Sequence, residues 1–84
     1  MSETRIATLV EQAVGKRFDQ WAAGHPSLAA VIDRVVLVEQ AAQSLRATDT
    51  YRQAVDAYRQ ARGEQQLIKE LTTLAGAVLE TILR

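Results

Sequence analysis

The end of the chain carries a long amphipathic pattern that a chain of 84 residues has little else to bury against. From Thr50 to Arg84 there is no proline, and apolar residues recur at spacings of three and four, as on one face of a helix. Gly63 interrupts the pattern, so the segment is either one long helix or two helices joined by a kink. At 1.5 Å per residue, an unbroken helix would be about 50 Å long.

Such a helix would extend roughly 20 Å beyond the two helices that precede it, and the overhang would be its most apolar part. Five exposed side chains there would forgo roughly 10 kcal/mol of burial, as much as the net stability of a typical domain. Either a bend at Gly63 makes a self-contained four-helix bundle, or a second chain covers the stripe. A homodimer is the simplest cover, because a two-fold axis lets one stripe face its own copy. The expected interface residues are Tyr51, Tyr58, Leu67, Leu71, Leu74, Val78 and Ile82.

Two shorter helical patterns precede this segment. The first covers residues 3–23, and Gly24 then fits a left-handed helix end before Pro26 prevents continuation. The second covers residues 28–46, with Ser27 as the expected N-cap, and Thr50 is the expected N-cap of the third helix.

The second helix is apolar on most of its sides, which predicts a central position. It should touch the first and third helices and, as an alternative, a second chain as well. An aspartate at Val35 or Val38 is therefore expected to unfold the protein, because an unpaired buried charge costs several kcal/mol. The apolar face consists of Leu28, Val31, Ile32, Val35, Val38, Ala42 and Leu45, and it is widened by Val36, Leu37 and Ala41.

These patterns predict one all-α domain over residues 1–84: a small helical bundle made of a helical hairpin and a long third helix, with a kink near Gly63 into a fourth helix as the alternative. The two connecting segments are short, so the first two helices should be antiparallel neighbours.

Composition excludes several kinds of partner. Ten basic and ten acidic residues give zero formal charge, whereas a nucleic-acid-binding protein usually shows a basic excess. The longest apolar run, Leu28 to Ile32, is far short of the roughly 20 residues that a membrane span needs. The N-terminus lacks the pattern of a signal peptide, so we expect a cytoplasmic protein. The abundance of Ala and the excess of Arg over Lys favour a bacterial source.

No arrangement of residues predicts catalysis, a cofactor or a metal site. There is no Cys and one His, and the Glu-x-x-His pairs of di-iron bundles are missing. His25 lies beside Pro26 in a turn, where an exposed histidine is expected rather than a general base. A metal- or cofactor-dependent bundle enzyme is therefore the least favoured hypothesis.

Residues 41–76 resemble the YlbF/YmcA family of small helical bacterial proteins. The resemblance lies in a helix ending at Leu45-Arg46, a Ser/Thr cap, Tyr51-Arg52, and a break near Gly63 before a further amphipathic helix. It implies an all-α protein that oligomerises and acts as a regulatory partner, not as an enzyme. Some members hold iron–sulfur clusters on cysteines, which this chain does not have.

The leading functional hypothesis is a non-enzymatic helical protein–protein interaction module, a regulator or scaffold that acts as a homodimer or higher oligomer. The alternative is a small helical chaperone or structural subunit of a larger machine such as a secretion system, with another helical protein as its partner.

Overall fold

A computed structural model describes residues 3–60 and 63–83, and all the regular structure in these ranges is helical. This confirms the predicted all-α class and small helical bundle. The helices are α1 (Glu3–Gly24), α2 (Pro26–Ala29), α3 (Arg34–Arg46), α4 (Asp49–Gln60) and α5 (Glu64–Ile82).

Helices α1 and α5 form the central pair and run parallel to each other. Near their first turns, Arg5 forms an ion pair with Glu64. Towards their C-terminal ends, the guanidinium of Arg17 lies over Gly76, where an added Cβ would be only 2.6 Å from Cζ. Since Arg5 to Arg17 and Glu64 to Gly76 are equally long steps, the two helices advance together in the same direction.

The core lies between α1, α3 and α5, and α4 extends it by packing on α5 and the end of α3. Helices α1, α3, α4 and α5 contribute apolar residues spaced by three or four, so one face of each is removed from water, whereas α2 has no buried residue. Alanines on α3 and α5 allow the helices to approach closely. The largest fully buried side chains are Leu45, Leu67, Leu71, Val10 and Val14.

The chain turns back at Gly63, so the expected overhang does not exist. Gly63 is extended, with φ −74° and ψ 160°, and is the N-cap of α5, while α4 ends at Gln60. The alternative with a fourth helix is therefore the arrangement found. Helix α5 has 19 residues and α1 has 22, so the parallel pair can cover each other along nearly their full lengths. Leu67 and Leu71 are consequently 1% and 0% exposed within a single chain.

The second predicted helix is broken, which corrects the expectation for residues 28–46. Helix α2 ends at Ala29, the chain turns, and Asp33 caps the start of α3, while Ser27 lies inside α2. The Oδ1 atom of Asp33 accepts hydrogen bonds from the backbone N–H groups of Val35 and Val36, at 3.1 and 3.3 Å.

The restarted helix buries Ala42 and Leu45 of the predicted face but turns the start of that face outward. Leu37, Ala41 and Leu45 are buried, at spacings of four. Val35 lies two positions before Leu37, about 200° away around the helix, and is 70% exposed. The prediction that Val35 is central is therefore wrong, whereas Val38 is half-buried and packs against the core.

Two predicted helix ends also differ from the structure. Thr48, not Thr50, caps α4: its Oγ1 accepts from the N–H of Tyr51 at 3.1 Å, and Thr50 already lies within the helix. Gly24 is the last residue of α1, and none of the described glycines has positive φ. The left-handed helix end expected at Gly24 is therefore absent.

Two aspartate substitutions on α3 test this corrected orientation. We expect Leu37→Asp to unfold the protein, because it buries an unpaired charge at a cost of several kcal/mol. Val35→Asp should leave the melting temperature nearly unchanged, since surface substitutions usually stay within about 0.5 kcal/mol. Thermal denaturation followed by circular dichroism measures both, and equal destabilisation would contradict the orientation of α3.

The cap of α4 gives a second comparison, between two threonines two positions apart. Thr48→Ala should lower the free energy of unfolding by about 0.5–2 kcal/mol, because the N–H of Tyr51 loses its acceptor. Thr50→Ala should change it by much less. Urea denaturation of both variants measures the difference. A larger loss of unfolding free energy in Thr50→Ala would show that Thr50 is the cap, as the sequence predicted.

Candidate interaction surface

The exposed large apolar side chains of the described residues all lie within residues 28–36. Leu28 is 56% exposed, Val31 83%, Val35 70% and Val36 53%. We call these four residues the apolar tip. Outside this segment, the exposed positions of the described helices are polar, charged or small.

The apolar tip begins just after the C-terminal end of α1, in an elongated molecule of 43 × 19 × 18 Å. Two contacts hold this end together. Arg34 donates two hydrogen bonds to Asp19, from Nε at 3.1 Å and from Nη2 at 3.2 Å, and so clamps the start of α3 to α1. His25 stacks on Trp21 with ring centroids 4.7 Å apart, and its Nδ1 lies 3.0 Å from the carbonyl oxygen of Trp21.

The charged residues within the tip segment are engaged in their own chain. Asp33 caps α3, and Arg34 is paired with Asp19. The hydrogen bonds from Arg34 hold the pKa of Asp19 below its ordinary value. The tip therefore presents apolar surface without a charge that calls for an oppositely charged partner.

A groove of about 280 Å³ between α1 and α3 continues the tip along the side of the bundle. Val35, Val38 and Ala42 supply its apolar part. Acidic and basic side chains occur in equal number along its rim, namely Glu11, Glu39, Arg34 and Arg46. Arg34 is already paired with Asp19, but Glu11 and Glu39 of one copy can meet Arg46 of a second copy.

The structure brings the predicted interface residues together, but as part of the chain's own core. Leu67 and Leu71 are fully covered, so the reason for expecting a second chain over them does not hold. The other five are half-buried and pack against the core cluster, and their contact with a second chain stays a prediction: Tyr51, Tyr58, Leu74, Val78 and Ile82.

Sequence reasoning missed the apolar tip because it placed these residues on the buried face of a continuous helix. The run from Leu28 to Ile32 is the longest apolar run of the chain, and it was the available signal. A helix that is apolar nearly all round leaves one side exposed when its bundle has too few helices to surround it.

Titratable groups form no reactive cluster in the part of the chain that the structure describes. No group of three or more His, Asp or Glu residues there is placed to hold a metal ion. None of the polar or charged side chains in these ranges is buried. No helix there is both long enough and apolar enough to cross a bilayer.

The clamp between α1 and α3 predicts a pH effect. A lowered pKa in the folded state means that the ion pair stabilises the fold at pH values above the ordinary pKa of Asp, about 3.9. That contribution is lost as the pH falls through the lowered pKa of Asp19. Because both side chains are exposed, we expect the contribution to be small and weakened by salt.

Titration of the Asp19 carboxyl by NMR tests this directly. Arg34→Ala should return the pKa of Asp19 towards the ordinary value, whereas Arg46→Ala, which removes a guanidinium from the other end of α3, should leave it low. Equal values in the wild type and in Arg34→Ala would contradict the clamp.

Comparison of the chain with protein-family models, with curated proteins and with solved structures finds no match. The resemblance of residues 41–76 to the YlbF/YmcA family stays an expectation from the sequence. The function is therefore argued from the surface of the chain itself.

Proposed function

We propose that the chain is a non-enzymatic helical protein–protein interaction module, a regulatory or scaffold subunit that works by self-association in the cytoplasm. The observation that supports this most directly is the apolar tip, where four large apolar side chains are more than half exposed while the rest of the described surface is mainly polar. Apolar surface concentrated in this way commonly marks an interaction site.

The area of the tip sets the strength of the expected complex. Full burial of a Val or Leu side chain contributes about 1.5–3 kcal/mol at 25 cal/mol per Å², which corresponds to roughly 60–120 Å² for each side chain. Because the four side chains are only 53–83% exposed in the single chain, two tips that cover each other would remove on the order of 300–600 Å² of apolar side chain from water. Interfaces under about 1,200 Å² belong to weak and transient complexes, so we expect association in the micromolar range or above.

The charge of the chain favours a second copy of itself as the partner that covers the apolar tip. The chain has zero formal charge, so two copies do not repel each other over distance. The rim of the neighbouring groove carries both signs, and an isologous contact lets Glu11 or Glu39 of one copy meet Arg46 of the other. The interface proposed for self-association is thus the apolar tip together with this groove. It replaces the stripe predicted on α5, which consists of Leu67, Leu71, Leu74, Val78 and Ile82.

Sedimentation velocity over a range of concentrations tests the proposal. The wild type should increase in mean mass with concentration. Val31→Glu combined with Val35→Glu should stay monomeric with a nearly unchanged melting temperature, because both side chains are exposed. A matched control within α3, Gln40→Glu with Gln43→Glu, adds the same charge at exposed positions and should behave as the wild type does.

A wild type that stays monomeric at every concentration would contradict self-association. The tip would then be free for a different helical protein, as expected for a subunit or chaperone of a larger machine. Association that persists unchanged in the double glutamate variant would remove the tip from the interface.

A further inference from the structure

We infer, on the basis of the proposed self-association, that the break between α2 and α3 closes when two copies pair. In the paired state residues 27–46 form one continuous helix, and its exposed apolar seam faces the second copy. The free chain, with its break, is the unpaired state.

The apolar pattern runs through the break as if the helix were continuous. Residues 27–46 contain no glycine or proline, so no residue type there requires the chain to leave the helix. The apolar positions alternate in steps of three and four, the spacing by which two helices pack along a seam. The seam consists of Leu28, Val31, Val35, Val38, Ala42 and Leu45.

The end of this seam is covered by the chain itself, whereas its start, on both sides of the break, is uncovered. Ala42 and Leu45 are 1% and 0% exposed, because they already pack within the chain. Leu28, Val31 and Val35 are all more than half exposed. A second copy that packs on Leu28, Val31 and Val35 would bury the part of the seam that its own chain leaves exposed.

One side chain holds the break. In a continuous helix, the N–H groups of Val35 and Val36 would donate to the carbonyls of Val31 and Ile32. In the broken chain both donate to the carboxylate of Asp33 instead, whose backbone is extended at φ −76° and ψ 107°. Both states therefore provide an acceptor for the N–H groups of Val35 and Val36. The acceptors are backbone carbonyls in the continuous helix and the carboxylate of Asp33 in the broken chain.

The second copy fits this seam because it brings an identical one. About a two-fold axis, the uncovered residues Leu28, Val31 and Val35 meet their own equivalents, and no foreign charge is needed. Asp33 and Arg34, the charged residues of the segment, have partners inside their own chain. Closing the break turns a bent segment into a straight one, so more of the seam comes into contact than in the broken state.

Proline at position 34 separates the two states. Arg34 is the first residue of α3, a position that tolerates proline, and the extended Asp33 before it has the conformation that a following proline requires. In a continuous helix the same proline would be interior, would lack the N–H for the carbonyl of Ala30, and would clash with that carbonyl. Arg34→Pro therefore permits the broken state and opposes the continuous one.

Arg34→Ala is the matched control, because it also removes the pair with Asp19 but permits both states. Sedimentation velocity and far-ultraviolet circular dichroism are measured for both variants across the same concentrations. We expect Arg34→Ala to gain mass and helical signal with concentration. Arg34→Pro should melt at a similar temperature in dilute solution and associate at least about a hundredfold more weakly.

The outcomes separate the two proposals. If Arg34→Pro associates as well as Arg34→Ala does, the closing of the break is wrong and self-association stands. If the wild type and Arg34→Ala both stay monomeric, self-association is wrong. The proposed closing of the break is then wrong as well, because it requires pairing.

A second variant keeps the test decisive if the proline variant fails to fold. Asp33→Ala removes the cap that holds the break from both copies, so it should tighten association roughly thirtyfold, or about fivefold for each copy. Unchanged or weaker association of Asp33→Ala, with the helical signal unchanged on pairing, would overturn the closing of the break.

Discussion

The parallel packing of α1 on α5 is the contact on which the rest of the fold depends. Both helices carry apolar residues on one face, and their similar lengths let each cover the other almost end to end. That packing requires the chain to reverse direction between the two, and α3 with α4 makes the return path. Once α1 and α5 are joined, α3 needs to bury only one face, which is why a helix so rich in apolar residues leaves valines exposed.

Periodicity alone was enough to predict the class of fold and much of the core. The spacing of Leu9, Val10, Val14 and Phe18 in α1, and of Leu67 and Leu71 in α5, correctly indicated faces that are buried. Periodicity does not say what covers a face, and here the cover for α5 is α1 of the same chain. The predicted α5 stripe is therefore largely core, although the spacing behind the prediction was read correctly.

The remaining differences come from capping, where several residues of the same kind compete. Thr48 and Thr50 are equally able to cap a helix, and the choice depends on where α3 ends. Asp33 and Arg34 are the only polar residues between Leu28 and Val38. Asp33 is a strong N-cap residue, so it was a local signal for a helix start that the continuous apolar pattern outweighed. The apolar tip follows directly from that choice, since a helix begun at Arg34 directs Leu37 inward and Val36 outward.

The guanidinium that lies over Gly76 has a consequence for how α1 and α5 are aligned. Gly76 is the sole glycine within α5, and the side chain of Arg17 occupies the space that a Cβ would take. If α5 slid by one helical turn, Thr72 or Glu80 would come beneath Arg17 and would displace its guanidinium. The missing side chain at residue 76 therefore favours one alignment of α1 against α5 over alignments shifted by a helical turn.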